Sequence, residues 1–547
     1  MASGLLISYA GLPVAVSSLF PDNGLASLAG TLLAAGHRVR VLDYNTVGTL
    51  ERTVAPERSA ELRALLPALA GEPDPDAIRR QLAIDDQLEA DLKRVTEELI
   101  EELSAEVERQ RADFVGFKLW SGDGFLASCR IAAALKARFA GLAVYGGGPA
   151  VTYSEHGIFA HTDAFDALVD GEGEPAICGL AACAEGRAAL AEVPNLIIPD
   201  GGSGIRTRRA LVPELDALPD PVYDPEVYPA LAGDEQIHFF VIDESRGCPM
   251  GCAFCAHQSA SGDHWRVRAP QRVHRLASSL AERFGSRAFR LGGSYTPADF
   301  FSALCHRLEA DQRSFRFCGF AHPEGLPPGL PARLAAAGCR SLFLGVESFD
   351  PADQRMLGKH LDPQRAEEAI RECSDAGMIP GLSLIVPAPG QSKQSREHNR
   401  DRTLALCGDG QACAVVTLPG LLPRTRWWRK RHKYAFELLM HEDDYRSFLA
   451  TYKIRHTRPP SCWSPLPYRL DGAEFASYSG VSARFQAELA QAGVAVNLPD
   501  EVALLAELFG QSPPRFQRHS RELLLSLDFG GLSDFAAAAN RELEDCC

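Results

Sequence analysis

The 547-residue sequence predicts an α/β protein in three consecutive parts: a doubly wound parallel sheet, a partial (β/α)6 barrel, and a mixed, mainly helical C-terminal cap. Three observations lead there. Short apolar runs alternate with helical stretches over the first third of the chain and again from residue 238 to 418. A Pro-, Gly- and Asp-rich stretch separates the two series. Beyond residue 418 the alternation stops, and a basic–aromatic segment gives way to helical sequence. Hydrophobic residues at 46% and charged residues at 23% supply an ordinary core, which excludes a disordered or fibrous chain.

In the first part, expected over residues 1–187, Gly4–Tyr9 is an apolar run. A helix follows from about Asn23 to Ala35 and stops at Gly36, and Val39–Leu42 is the next strand. Phe114–Phe117, Leu142–Tyr145 and Ala167–Val169 are three more, with helices at about Phe125–Phe139 and Glu155–His161. One insertion interrupts the rhythm. From Asp85 to Gln110, Leu88, Leu92, Val95, Leu99, Leu103 and Val107 recur every three or four residues, the spacing of an amphipathic helix whose acidic face is solvated. Residues 188–235 read as a linker. The barrel, expected over 236–418, has strands at His238–Ile242, Ala288–Leu291, Phe315–Gly319, Ser341–Gly345, Leu382–Val386 and Ala414–Leu418. Helices between them include Pro270–Phe284, Ala298–Ala310, Pro331–Ala337 and Pro363–Ala376. About six βα units favour a partial barrel over a complete eight-unit one. Residues 419–547 form the cap.

Composition narrows the function. With 56 Lys and Arg against 71 Asp and Glu, the net charge of −15 makes nucleic acid a poor partner. No apolar run is long enough for a bilayer; Gly4–Phe20 is broken by Gly11 and Pro13 and lacks a basic leader. A cytoplasmic location is the expectation. The fifteen cysteines are scattered except for one tight group and the pair Cys546–Cys547, unlike a secreted disulfide scaffold.

The tight group is Cys248-Pro-Met-Gly-Cys252-Ala-Phe-Cys255, directly after an apolar strand. Three thiolates on one loop can face a common centre, and thiolates are soft ligands for iron–sulfur clusters or zinc. Structural zinc wants four closed ligands, often two Cys-x2-Cys pairs, and no second pair stands here. A [4Fe–4S] cluster on three cysteines leaves one iron open. The alternatives are zinc completed by His257, or buried thiols.

This loop at the end of the first strand of a partial barrel resembles that of radical S-adenosylmethionine (SAM) enzymes. The resemblance implies that Cys248, Cys252 and Cys255 hold a [4Fe–4S] cluster, that its open iron binds SAM, and that reductive cleavage gives a 5′-deoxyadenosyl radical. It implies that Phe254 packs near the adenine. Gly292, Gly293 and Ser294 stand where the family has a Gly-Gly-Glu-like contact to SAM, with Ser in place of Glu. Glu347 and Ser348, in Leu-Gly-Val-Glu-Ser, resemble the G-x-E-S segment near SAM, and Ile385–Gly390 resembles the late Gly/Pro loop. Ordinary tight turns are the alternative for the glycines.

Three features end strands of the first part: Trp120-Ser121-Gly122, Gly146-Gly147-Gly148-Pro149, and Asp170-Gly-Glu172-Gly173-Glu174-Pro175. Taken singly, each is turn chemistry. As an ordered set ahead of the cysteine loop they resemble the Rossmann-like cobalamin-binding domain of cobalamin-dependent radical SAM enzymes, and the likeness covers about residues 1–400. It implies that Trp120, Ser121, Gly122, Gly146, Gly147, Gly148, Glu172 and Gly173 contact cobalamin. The D-x-H-x-x-G motif that supplies a histidine lower ligand is missing, so cobalt without a histidine lower ligand is expected.

In the cap, Arg424–Tyr434 is a basic–aromatic cluster. It suits an anionic, aromatic or peptide ligand, or a surface helix paired with the acidic remainder. Pro459–Arg469 has too many prolines for a helix or central strand and reads as an aromatic loop closing the site. This region loosely resembles the tryptophan 2-C-methyltransferase branch of thiopeptide biosynthesis. The resemblances imply a SAM-dependent C-methyltransferase with methylcobalamin as carrier, a small-molecule or peptide substrate, and a reductase with flavodoxin or ferredoxin as electron donor. The alternative is a cobalamin-dependent cyclase or ring-rearranging enzyme. A cobalamin sensor has no use for an open iron. A methylthiotransferase needs three further cluster cysteines, and Cys129, Cys178 and Cys183 are not placed for that.

Overall fold

The computed structural model describes residues 1–69, 75–408, 410, 412–453 and 463–544. The first sheet comprises β1 (Ser3–Ser8), β2 (Arg38–Asp43), β3 (Phe114–Lys118), β4 (Ala143–Gly147), β5 (Ala167–Val169), β6 (Leu196–Ile198) and β7 (Ile205–Arg206), in the order β2-β1-β3-β4-β5-β6-β7. β1 to β5 pair in parallel, and β6 and β7 are antiparallel. The order reverses between β1 and β3, and ligands of such sheets bind outside the strand ends at this switch point. The helix Asn23–Ala34 starts beside it because the Asp22 carboxylate accepts the Leu25 N–H at 3.0 Å.

The second part begins with β8 (Phe240–Ile242). A short antiparallel pair, β9 (Ser245–Arg246) and β10 (Arg266–Val267), brackets the cysteine loop. Then come β11 (Ala288–Leu291), β12 (Arg316–Ala321), β13 (Cys339–Glu347), β14 (Ile379–Ile385) and β15 (Cys413–Thr417). In the cap, β16 (Phe436–Leu438) and β17 (Tyr468–Leu470) form an antiparallel pair, and β18 (Ala495–Val496) follows. The second sheet runs β18-β15-β14-β13-β12-β11-β8, parallel throughout. It is an arc of six βα strands in chain order, with β18 added at the far edge.

Three features differ from the sequence expectation. The stretch read as linker contributes the β6–β7 hairpin and buries Tyr223 and Tyr228 in the core shared by both sheets. The chain beyond residue 418 is not confined to a cap. Its β18 lengthens the barrel sheet, the Asn497 N–H donates to the Ala414 carbonyl at 2.6 Å, and Asp500 pairs with Arg290 of β11 at 2.9 Å. Two residues of strand and one buried ion pair leave no periodic pattern to read. The amphipathic helix runs from Pro75 to Gln110, longer than expected, with Leu88 through Val107 buried as the pattern required.

A continuous apolar core joins the faces of both sheets, from Ala2 and Leu6 to Val496. A second cluster packs the C-terminal helices against residues 16–54 and 237–239. Among the described residues, no helix is long and apolar enough to cross a membrane.

Candidate cofactor-binding site

The cysteine loop is held from three sides. The Gly247 backbone has φ +82° and an added Cβ would stand 2.1 Å from the His264 carbonyl oxygen, so the chain can enter the loop only through glycine. The Cys248 N–H donates to the Gly262 carbonyl at 3.1 Å, and the Gln258 amide donates to the Cys248 carbonyl at 2.9 Å. The Ala253 N–H donates to the Leu357 carbonyl at 2.8 Å, and the Trp427 N–H to the Ala253 carbonyl at 2.9 Å.

Cys248 and Cys252 are half-buried and Cys255 is exposed, none in a disulfide. Burial raises the Cys248 thiol and pushes the Cys252 thiol up to about 12, while the Lys359 ammonium pulls both down. Among the described residues, no group of three or more His, Cys, Asp or Glu is gathered around a single-ion position. Three soft donors on one loop, near enough to feel one another's charge and that of the buried Lys359, fit an iron–sulfur cluster.

The residues expected around SAM divide. Gly292 lines a cavity, described below. Gly293 is required by the protein itself: an added Cβ would stand 2.2 Å from the Glu244 carboxylate. That carboxylate is fully buried and accepts from the Gly293 N–H at 2.9 Å and the Thr296 hydroxyl at 2.6 Å. Ser294 is exposed and meets His257 Nδ1 at 3.1 Å. Phe254 packs on Trp427, ring centroids 5.8 Å apart. A register shift in β13 between Gly345 and Glu347 swings Glu347 to the barrel mouth with φ +66°. There it pairs with Lys359 at 3.2 Å and accepts from the Ser383 hydroxyl at 2.7 Å. Ser348 faces away from this group. Its hydroxyl donates to Asp353 at 2.8 Å in a buried network with Asn399, Gln391 and Ser395.

A cavity of about 350 Å³ opens at the switch point of the first sheet. Gly146, Gly147, Gly148 and Gly173 line it from the first sheet, and Ser245, Arg246, His257 and Gly292 from the barrel. Gly147 stands clear there, its added Cβ 3.5 Å from Val169, whereas Gly146 is needed for packing, with Leu119 and Leu168 at 2.8 Å. Glu172 also lines the cavity, but its carboxylate is held by Arg266 at 2.7 Å and by the Val212 N–H at 2.6 Å. Trp120, Ser121 and Gly122 are not among the residues that line this cavity. Trp120 Nε1 donates to Ser8 at 3.0 Å, and the Gly122 N–H donates to the Ala450 carbonyl at 2.8 Å. The cap draws that loop away, a contact without local signature.

The basic–aromatic cluster is a clamp. Trp427 and Trp428 are buried. Arg424 pairs with Asp170 at 2.5 Å and Glu155 at 2.8 Å, and Arg426 donates to the Gly251 carbonyl inside the cysteine loop. In the expected closing loop, residues 459–462 lie outside the described residues. Tyr468, further along, is buried against Phe436 and Tyr478. Sequence reasoning missed Glu244, Lys359 and Tyr153. Burial and a nearby thiol raise the Tyr153 and Tyr295 hydroxyls, the thiol being Cys255 for the first and Cys248 for the second. Only Glu244, two residues past an apolar strand, had a local signal.

Residues 244–402 match the model of the radical SAM superfamily. The chain carries a radical SAM domain. An uncharacterized methyltransferase of Pyrococcus horikoshii is 25% identical over 315 residues, 57% of this chain and 67% of that protein. The anaerobic magnesium-protoporphyrin IX monomethyl ester cyclase of a Synechocystis strain is 25% identical over 250 residues, 44% of this chain and 49% of that one. Among solved structures, the radical SAM methyltransferase TsrM of Kitasatospora setae, with cobalamin and a [4Fe–4S] cluster bound, has a TM-score of 0.63 at 16% identity. That likeness of fold spans 98% of this chain and all 100% of TsrM. The likeness of fold therefore takes in the first sheet as well as the radical SAM domain.

Proposed function

We propose that the protein is a cobalamin-dependent radical SAM C-methyltransferase acting on a small-molecule or peptide natural-product intermediate. One observation carries this reading. The glycine-lined cavity at the switch point of the first sheet is completed by residues from both sides of the cysteine loop, Arg246 and His257. Two cofactors bound at these two places would share one wall. When bound, a [4Fe–4S] cluster would supply the electron for SAM cleavage, and cobalamin would carry the methyl group. Cys248, Cys252 and Cys255 would hold the cluster. Gly147 and Gly173 would admit cobalamin to the strand ends, and Phe254 and the Glu347–Lys359 pair would line the SAM side. Arg266 and Arg246 hold Glu172 and Glu174 and so fix the first sheet against the barrel.

The test is anaerobic incubation of reconstituted protein with SAM, cobalamin, a reductant and candidate substrates. Mass spectrometry should find substrate with one added CH2 together with S-adenosylhomocysteine, and neither with the Cys248/Cys252/Cys255→Ala variant. A second reading, a cyclase without methyl transfer, draws on the likeness to the Synechocystis cyclase. It would yield 5′-deoxyadenosine and a product without the added CH2.

A further inference from the structure

We infer that His322 is a fixed hydrogen-bond donor to SAM at the barrel mouth, through an Nε2–H that no group among the described residues accepts. The inference rests on the reading above. His322 is the first residue after β12. The preceding Ala321 is in register with Leu344 of β13, next to Gly345, where an added Cβ would stand 2.7 Å from Lys359 Nζ. The imidazole therefore lies beside the Lys359–Glu347 pair that faces the three cysteines. The Tyr295 ring is 5.6 Å from the imidazole, and Tyr295 lies near enough to Cys248 to feel its charge.

The side chain is 5% exposed. Its Nδ1 accepts the Glu324 N–H at 3.3 Å, which assigns the ring proton to Nε2. Nε2 is buried without a partner among the described residues. Burial and the Lys359 charge push the imidazole down to about 3, so it is a neutral donor at any working pH. A buried unmatched N–H is destabilising, and a phenylalanine of similar shape would avoid that cost. A position that only filled space would lose nothing by the exchange; a position that meets a ligand acceptor would.

The experiment compares wild type, His322→Phe and His322→Gln as reconstituted proteins of equal iron content. Equilibrium SAM binding and melting temperature with and without SAM are measured. The Phe variant should melt at or above wild type without SAM, yet bind SAM about tenfold more weakly and gain less from it on melting. The Gln variant, whose amide can reach the place of Nε2, should regain most of the affinity. Wild-type affinity in the Phe variant overturns the inference and leaves the functional reading standing. Wild-type protein without affinity for SAM overturns both. A Phe variant that loses affinity and melting temperature together, unrescued by Gln, makes His322 a structural residue and overturns the inference.

Discussion

At the residue scale, adjacent glycines have different jobs. Gly146 is packed between Leu119 and Leu168, and Gly147 borders open cavity. Gly146→Ala should lower stability by about 1–3 kcal/mol through overpacking, measured by urea unfolding. Gly147→Ala should leave it nearly unchanged, while Gly147→Trp should block cobalamin uptake without unfolding the protein. Equal losses from both alanine variants would contradict the assignment. His322 sets an acid limit on stability. Its pKa falls from 6.5 unfolded to about 3 folded, so the unfolded chain binds the extra proton between these values. Stability from this group is fully present above pH 6.5 and is lost as pH falls toward 3. His322→Phe should therefore flatten the acid side of the stability–pH curve, by up to a few kcal/mol. An unchanged slope would place the acid sensitivity elsewhere.

At the element scale, the loop Asp170–Glu174 works as a set of clamps. Asp170 pairs with Arg424 of the cap, while Glu172 and Glu174 pair with Arg266 and Arg246 around the cysteine loop. In the sequence these carboxylates resemble a ligand-binding segment; in the fold they join three elements around one. Arg424 is 17% exposed, and Glu155 and Asp170 keep Arg206 without it. Arg424→Ala should cost about 2 kcal/mol, below the 3–5 kcal/mol of a fully stranded buried pair. A double-mutant cycle with Asp170→Ala should give a coupling above about 0.5 kcal/mol. Strict additivity would mean that the clamp is cosmetic.

At the scale of the whole molecule, the C-terminal part belongs to the barrel. The Asn540 side chain accepts the His238 N–H just before β8 at 2.7 Å, and Asp500 holds Arg290 of β11. A chain ending at residue 494 would lose β18 and expose the edge of β15 and the apolar face covered by the last helices. It should be recovered only as aggregate, with no cooperative melting transition. A soluble truncated protein with a sharp transition would show that the barrel folds without these residues.

Both parallel sheets, the long amphipathic helix and the cysteine loop were legible in the sequence alone. Each rests on local periodicity or close spacing: Leu88 to Val107 on one helical face, three cysteines within eight residues, apolar runs between turns. Tertiary structure decided what distant partners control. It turned Trp120 toward Ser8, Ser348 toward Asp353 and Glu172 toward Arg266, and it brought Lys359 and His322 to the barrel mouth. It also recruited Ala495–Val496 as a strand. The physical reason is common to all of these. A side chain's partner is set by strand register and by packing between elements far apart in the chain, and neither leaves a period in the sequence.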